Sequence, residues 1–159
     1  MTAQIYQRHD LAVSQLKTAI MLFVGDHERF SVITLAGAAH TILSQLVENE
    51  NKESFIGGMV AGAENEKLAR SAMGKHVNDL LFINALKHMD EGDDGFVAMD
   101  VENCAIASIL IAISNFVTIR GRGHDFVEAF LAWAKLNLDP TIYNVDGDPD
   151  WKPPAAEPA

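Results

Sequence analysis

Apolar positions recur at helical spacing along most of the chain and never alternate with polar ones over the length of a strand. Ile5, Ala12, Leu16, Ala19, Ile20 and Phe23 share one stripe, which predicts an amphipathic helix over about residues 4–24. "GDHE" (25–28) breaks it and supplies acids for the next helix start. The run "FSVITLAGAAHTILSQLV" is apolar almost all round and predicts a central helix over about 29–48, whose "AGAA" lets neighbours approach closely. "ENENKESFIGGMVAG" (48–62) predicts a flexible loop with a short helical piece. A third helix over about 64–89 carries Met73, Val77, Leu80 and Leu81 on one face. Asp100 is a natural N-cap for a fourth helix over 101–120, which "RGRG" (120–123) ends. Asp125 and Glu128 have capping-box spacing ahead of a fifth helix with Phe126, Phe130 and Trp133 on its inner face. The expected fold is all-α: an antiparallel bundle of about five helices over 1–138, then an extended, acidic, proline-rich tail over 139–159.

Composition narrows the function classes. A chain of 159 residues suggests one domain that buries about two-thirds of its unfolded surface. A net charge of −10 argues against a broad phosphate-binding surface, so any nucleic-acid contact is confined to a local patch. The lone Cys104 cannot form an intrachain disulfide and, amid apolar neighbours, reads as an inert buried thiol. The stretch "MTAQIYQRHD" lacks a basic segment followed by an apolar one, so no signal peptide is read. The longest uncharged run (103–119) contains Asn103, Ser108, Ser114, Asn115 and Thr118, which fits a core helix better than a membrane span of about 20 apolar residues. The expectation is a soluble, cytoplasmic protein with no membrane contact.

Candidate chemistry concentrates in "FINALKHMDEGDDG" (82–95). With Met73 at zero and about 100° per residue, Val77, Asn84 and His88 fall within about 60° of one another, so Asn84 and His88 are predicted to continue the inward stripe. As i,i+4 neighbours they would share a hydrogen-bond network or a ligand. His40, on the central helix, is either a core histidine bonded to a neighbouring helix or, with His88 and Asp90, part of a small pocket or ligand set. Arg120 and Arg122 in "RGRGH" form the compact basic cluster, the best candidate for an anion contact, with helix-end neutralisation as the alternative. No H-E-x-x-H or E-x-x-H spacing occurs, so no metal site and no cofactor are expected. "DEGDDG" (90–95) reads as a solvated turn.

Three blocks, "FSVITLAGAAHTILSQLVE" (30–48), "INALKHMD" (83–90) and "DVENCAIASILIAISNF" (100–116), resemble a family of uncharacterised bacterial helical proteins with Ser-x-x-Thr-Leu-Ala-Gly-Ala-Ala and Arg-Asn-x-x-Lys-His-x-Asp motifs. The second motif is in turn similar to the Arg-x(4–6)-His signature of HEPN domains, helical and often dimeric, some of them metal-independent ribonucleases in toxin–antitoxin or defence systems. The resemblance implies a homodimer or a protein partner, and places Asn84 and His88 at the polar and histidine positions of the catalytic pair. Ile83 stands where the arginine would be, and an aliphatic side chain cannot stabilise phosphorane charge. Arg70 and His76 repeat the spacing loosely. Three functions follow as expectations: foremost a non-catalytic, self-associating interaction protein, then a HEPN-like ribonuclease or nucleotide-binding protein around His88, then a ligand- or metal-binding bundle using His40, Asn84 and His88.

Overall fold

The run that is apolar almost all round becomes the centre of the fold. In the computed structural model, which describes residues 2–152, α1 (Arg8–Val24) and α2 (Arg29–Asn49) pack against each other, and α2 packs as extensively against α5 (Val101–Arg120). With α3 (Phe55–Val60), α4 (Glu66–Leu80) and α6 (Asp125–Asn137) there are six helices among the described residues, one more than the periodicity predicts. The addition is α3, the short helical piece of the expected loop. Small residues make the close packing feasible: Ala12 and Ala19 of α1, Ala36 and Ala39 of α2, and Ala105 and Ala112 of α5 are all fully buried. Leu16, Ile33, Leu43, Ile109, Ile113 and Phe116 fill the space between them, each side chain contributing roughly 1.5–3 kcal/mol by burial. Phe23 joins α6 to this core through edge contacts with Phe130 and Trp133, at ring distances of 5.6 and 4.8 Å.

Arg29 locks the corner between α1 and α2. Its guanidinium lies 4.4 Å from the Phe23 ring centroid and donates to the Phe23 and His27 carbonyls, to Asp26, and to Glu102 of α5 at 2.6 Å. Glu102 and Asp26 hold the guanidinium pKa above its ordinary value. Asp100 caps α5 as predicted, accepting from the Asn103 N–H. The predicted capping box on α6 does not form: His124 is the N-cap, without a side-chain cap bond, and Glu128 instead accepts from Gly123 N–H.

The third predicted helix is cut short, and the cut changes which side chains face inward. The helix α4 ends at Leu80, and Phe82 takes a left-handed backbone with φ of 57°. A helical wheel counts correctly only while the backbone stays helical. Beyond Phe82 the register shifts so that Ile83 points into the core with 1 % exposure, Asn84 is half-buried and His88 is exposed. The expected inward pair Asn84–His88 is therefore corrected. Leu80, also expected inside, is 59 % exposed.

Residues 139–152, expected to extend away, fold back. Asn144 and Val145 are buried, Tyr143 donates to Asn103 of α5, and Lys152 donates to the Gly58 carbonyl of α3. The rest of the predicted tail, 153–159, lies outside the described residues.

The docking of Ile83 onto α2 has a specific partner. A Cβ at Gly37 would lie 2.8 Å from the Cδ1, Cγ1 and Cγ2 atoms of Ile83, so only a bare α-carbon admits this β-branched side chain. Gly37→Ala should cost about 1–3 kcal/mol through overpacking, and Ile83→Ala about 2–5 kcal/mol through the cavity it leaves. In urea unfolding, the double variant should cost at least about 1 kcal/mol less than the two singles combined, because the new methyl fills part of the vacated space. Additive costs would show that the two residues do not meet.

Candidate functional site

A large opening lies between α2 and α4. Because α4 rests chiefly on α3 while α2 is engaged by α1 and α5, an open cleft of about 790 Å³ separates the two helices. Residues four apart line both walls: His40, Ser44 and Glu48 on α2, and Arg70, Gly74 and Asn78 on α4. The size is that of a small-molecule site. Two of the five buried side-chain atoms without a partner among the described residues, Arg70 Nε and Asn78 Oδ1, belong to these walls, so the polar pairing of the cleft is incomplete.

His40 lines the cleft although it is only 4 % exposed. Its Nδ1 lies 3.0 Å from Asn115 Nδ2 of α5. The orientation of that amide is dictated from its other side, where Asn115 Oδ1 accepts the Phe55 N–H at 2.9 Å. A backbone N–H can only donate, so the oxygen of Asn115 faces Phe55 and its NH₂ faces His40. Nδ1 must then be an acceptor, and in the neutral ring the proton sits on Nε2. Burial pushes the His40 pKa down to about 4, so the ring is neutral at physiological pH. No residue among those described hydrogen-bonds Nε2, which leaves one donor unspent in a ring that lines the cleft.

Charges sit mostly on the α4 wall. Lys67, Arg70 and Lys75 are three of the chain's twelve Lys and Arg residues. Glu48, facing them from α2, is committed: it lies 3.5 Å from Arg70 and accepts from Ser54 at 3.1 Å. Ser54 in turn caps α3 by accepting from Gly57 N–H. Glu66 is likewise engaged by Gly62 N–H at 3.1 Å. Neither Lys67 nor Lys75 is ion-paired among the described residues.

The predicted site residues are divided between separate places. Asn84, His88 and Asp90 border a smaller depression with Lys75 and Asp79, while His40 stands apart in the cleft, so the proposed His40–His88–Asp90 set is not assembled. Asn84 donates to Asp79 at 2.9 Å rather than sharing a network with His88. Ile83, at the position the resemblance gives to arginine, is spent on Gly37. Arg70 lines the cleft, whereas His76 is exposed and lines none of its wall. Arg120 donates to His9 Nε2 at 2.9 Å and Arg122 lies 3.6 Å from Glu128, so the basic cluster is internally engaged. No group of three or more His, Cys, Asp or Glu side chains close enough to hold a metal occurs among the described residues. Cys104 is buried, and burial followed by the nearby Asp100 raises its pKa.

Sequence reasoning missed Lys67, Arg70 and Asn78 as companions of His40. The available signal was the pair of polar rows at four-residue spacing. It is masked in α2 because the rest of that helix is apolar. No family model, curated protein or solved structure matches the chain. Function must be read from the site itself.

The buried neutral ring has a consequence for stability. His40 takes up its proton near pH 4 when folded and near 6.5 when unfolded, so the unfolded state binds more protons between those values. Stability from this residue is therefore intact above about pH 6.5 and lost as pH falls toward 4, by at most about 3 kcal/mol. His40→Gln keeps an acceptor for Asn115 but does not titrate. Between pH 7 and 4.5, urea unfolding should show the variant losing about 2 kcal/mol less than the native protein. Parallel losses would mean that His40 is not held neutral.

Proposed function

We propose that this protein is a non-catalytic helical bundle that binds a small polar molecule in the cleft between α2 and α4, with His40 as a recognition donor. The observation that carries the reading is the fixed state of the imidazole. With Nδ1 occupied by Asn115 and the proton on Nε2, the ring has no free lone pair with which to act as a base. It can only donate, in one direction, from a position locked on three helices through His40, Phe55 and Asn115. Such a group suits recognition of an acceptor and suits proton transfer poorly.

Gly74 supports the same reading. It lies in the middle of α4 on the cleft wall, with nothing within 4 Å of where its Cβ would be and no backbone strain to require glycine. Glycine in a helix interior costs roughly 0.5–1 kcal/mol relative to alanine, so a more stable wall is one methyl away. A bare wall allows a ligand to lie against the helix, a gain in access at the expense of stability.

Gly74→Ala should therefore raise stability by about 0.5–1 kcal/mol in urea unfolding, and Gly74→Phe should remain folded while obstructing the cleft. In an NMR screen of polar fragments, native protein should yield compounds that shift the His40 Nε2–H resonance, and Gly74→Phe should abolish those shifts. Fragments that bind Gly74→Phe as well as native protein would place binding elsewhere and contradict the proposal.

A further inference from the structure

We infer that the molecule the cleft takes is a small organic anion, with its charge met by the row Lys67, Arg70 and Lys75 on α4 and an acceptor atom held by the Nε2–H of His40 on α2. The inference rests on the cleft being a binding site and adds the chemical class of its occupant. It follows from which polar groups are spent and which are not. Both acids of the cleft are engaged by the chain itself, Glu48 with Arg70 and Ser54, and Glu66 with the Gly62 N–H. Thr41 on the α2 wall is spent on the Gly37 carbonyl, and Gln45 donates to Asn49. Beside the Asn78 amide, whose Oδ1 is unpaired, and the hydroxyls of Ser44 and Ser71, the groups left over are donors, and every charged one is a cation: two lysine ammoniums, the remaining hydrogens of the Arg70 guanidinium, and the neutral His40 Nε2–H. Unspent donors around a concave, partly desolvated space select an acceptor with negative charge.

The setting makes the bias more pointed. The chain carries a net charge of −10, yet this wall of α4 presents three cations to the cleft. Lys67 and Lys75 are eight residues apart on one face, about 12 Å along the axis, with Arg70 between them. That length exceeds a single phosphate or carboxylate and matches an anion with a polar body. Ser44, Ser71 and Asn78 supply the hydroxyl and amide groups such a body would meet. His40, neutral and buried, adds a hydrogen bond without adding charge, so it aligns the acceptor while the α4 cations supply most of the attraction.

Calorimetry and ¹H–¹⁵N NMR of the full chain with three probes test this: glucose 6-phosphate, citrate, and glucose as the neutral control. The expected result is that at least one anion binds at least tenfold tighter than glucose, shifts the His40 Nε2–H resonance, and weakens with added salt. Preference for glucose 6-phosphate or for citrate separates a phosphorylated from a carboxylated ligand. The variant Lys67→Gln/Lys75→Gln changes two exposed side chains, so it should keep the native melting temperature while weakening the anion by about tenfold or more. If glucose binds as tightly as either anion and the lysine variant does not alter it, the anion inference is overturned while the cleft reading stands. If no probe perturbs His40 at millimolar concentration, or anions shift only the Arg120–Arg122 region, both are overturned.

Discussion

Asn115 sits in α5, the more apolar of the two long core helices, with no exposed surface, and two separate elements depend on how its carboxamide is satisfied. Its oxygen takes the N–H of Phe55 and so ties the start of α3 to α5, while its NH₂ takes the lone pair of His40 and so orients the imidazole of α2. A buried amide left unpaired costs roughly 1–3 kcal/mol per missing bond, which makes this geometry self-enforcing. Everything distinctive about the cleft is downstream of it. The α3 helix is the platform on which α4 rests, and the ring orientation fixes which histidine nitrogen is left for the cleft.

The second constraint is the meagre packing of α4. Among its residues only Val77 is buried, whereas α5 buries most of its length. A helix with so few buried apolar contacts belongs to the low-stability end of a fold, where binding elements are commonly found. Its hold comes from α3 and from the Arg70–Glu48 pair, whose side chains are about one-third and one-fifth exposed, so solvent screens the attraction and it contributes modestly. The molecule thus combines a tightly packed centre, α1, α2 and α5, with a loosely held polar wall. The two long helices α2 and α5 are apolar enough to cross a bilayer by length and composition, and within the fold 44 % and 67 % of those stretches are buried.

Much of this was legible in the sequence, and the failures have local causes. The helical period gave the all-helical class, the ends of α2 and α5, and the cap at Asp100, because those segments are long, strongly apolar and bounded by clear breakers. Asn84 and His88 were misplaced because nothing in "LLFINALKH" announces that Phe82 adopts a left-handed conformation, which glycine or asparagine ordinarily marks. The prolines and acids of 139–152 predict an extended segment, yet Asn144 closes a local turn with Asp148 and Tyr143 pairs with Asn103, 40 positions away, a partner that no local pattern encodes. His40 was recognisable as a polar residue on a central helix. Its partner, Asn115, lies 75 positions away, and a distant pairing of that kind leaves no periodic trace. The cations of α4 are visible individually, but only the fold shows that they line the same cleft as His40.

The proposed role of the cleft depends on the protonation state of one ring, His40. Long-range ¹H–¹⁵N correlation spectra of ¹⁵N-histidine-labelled protein report directly which imidazole nitrogen carries the proton. For His40 the expected result at pH 7 is a neutral ring with hydrogen on Nε2 and a lone pair on Nδ1, unchanged as the pH is lowered to 5.5. A proton on Nδ1, or a His40 ring that becomes charged over that range, would contradict it.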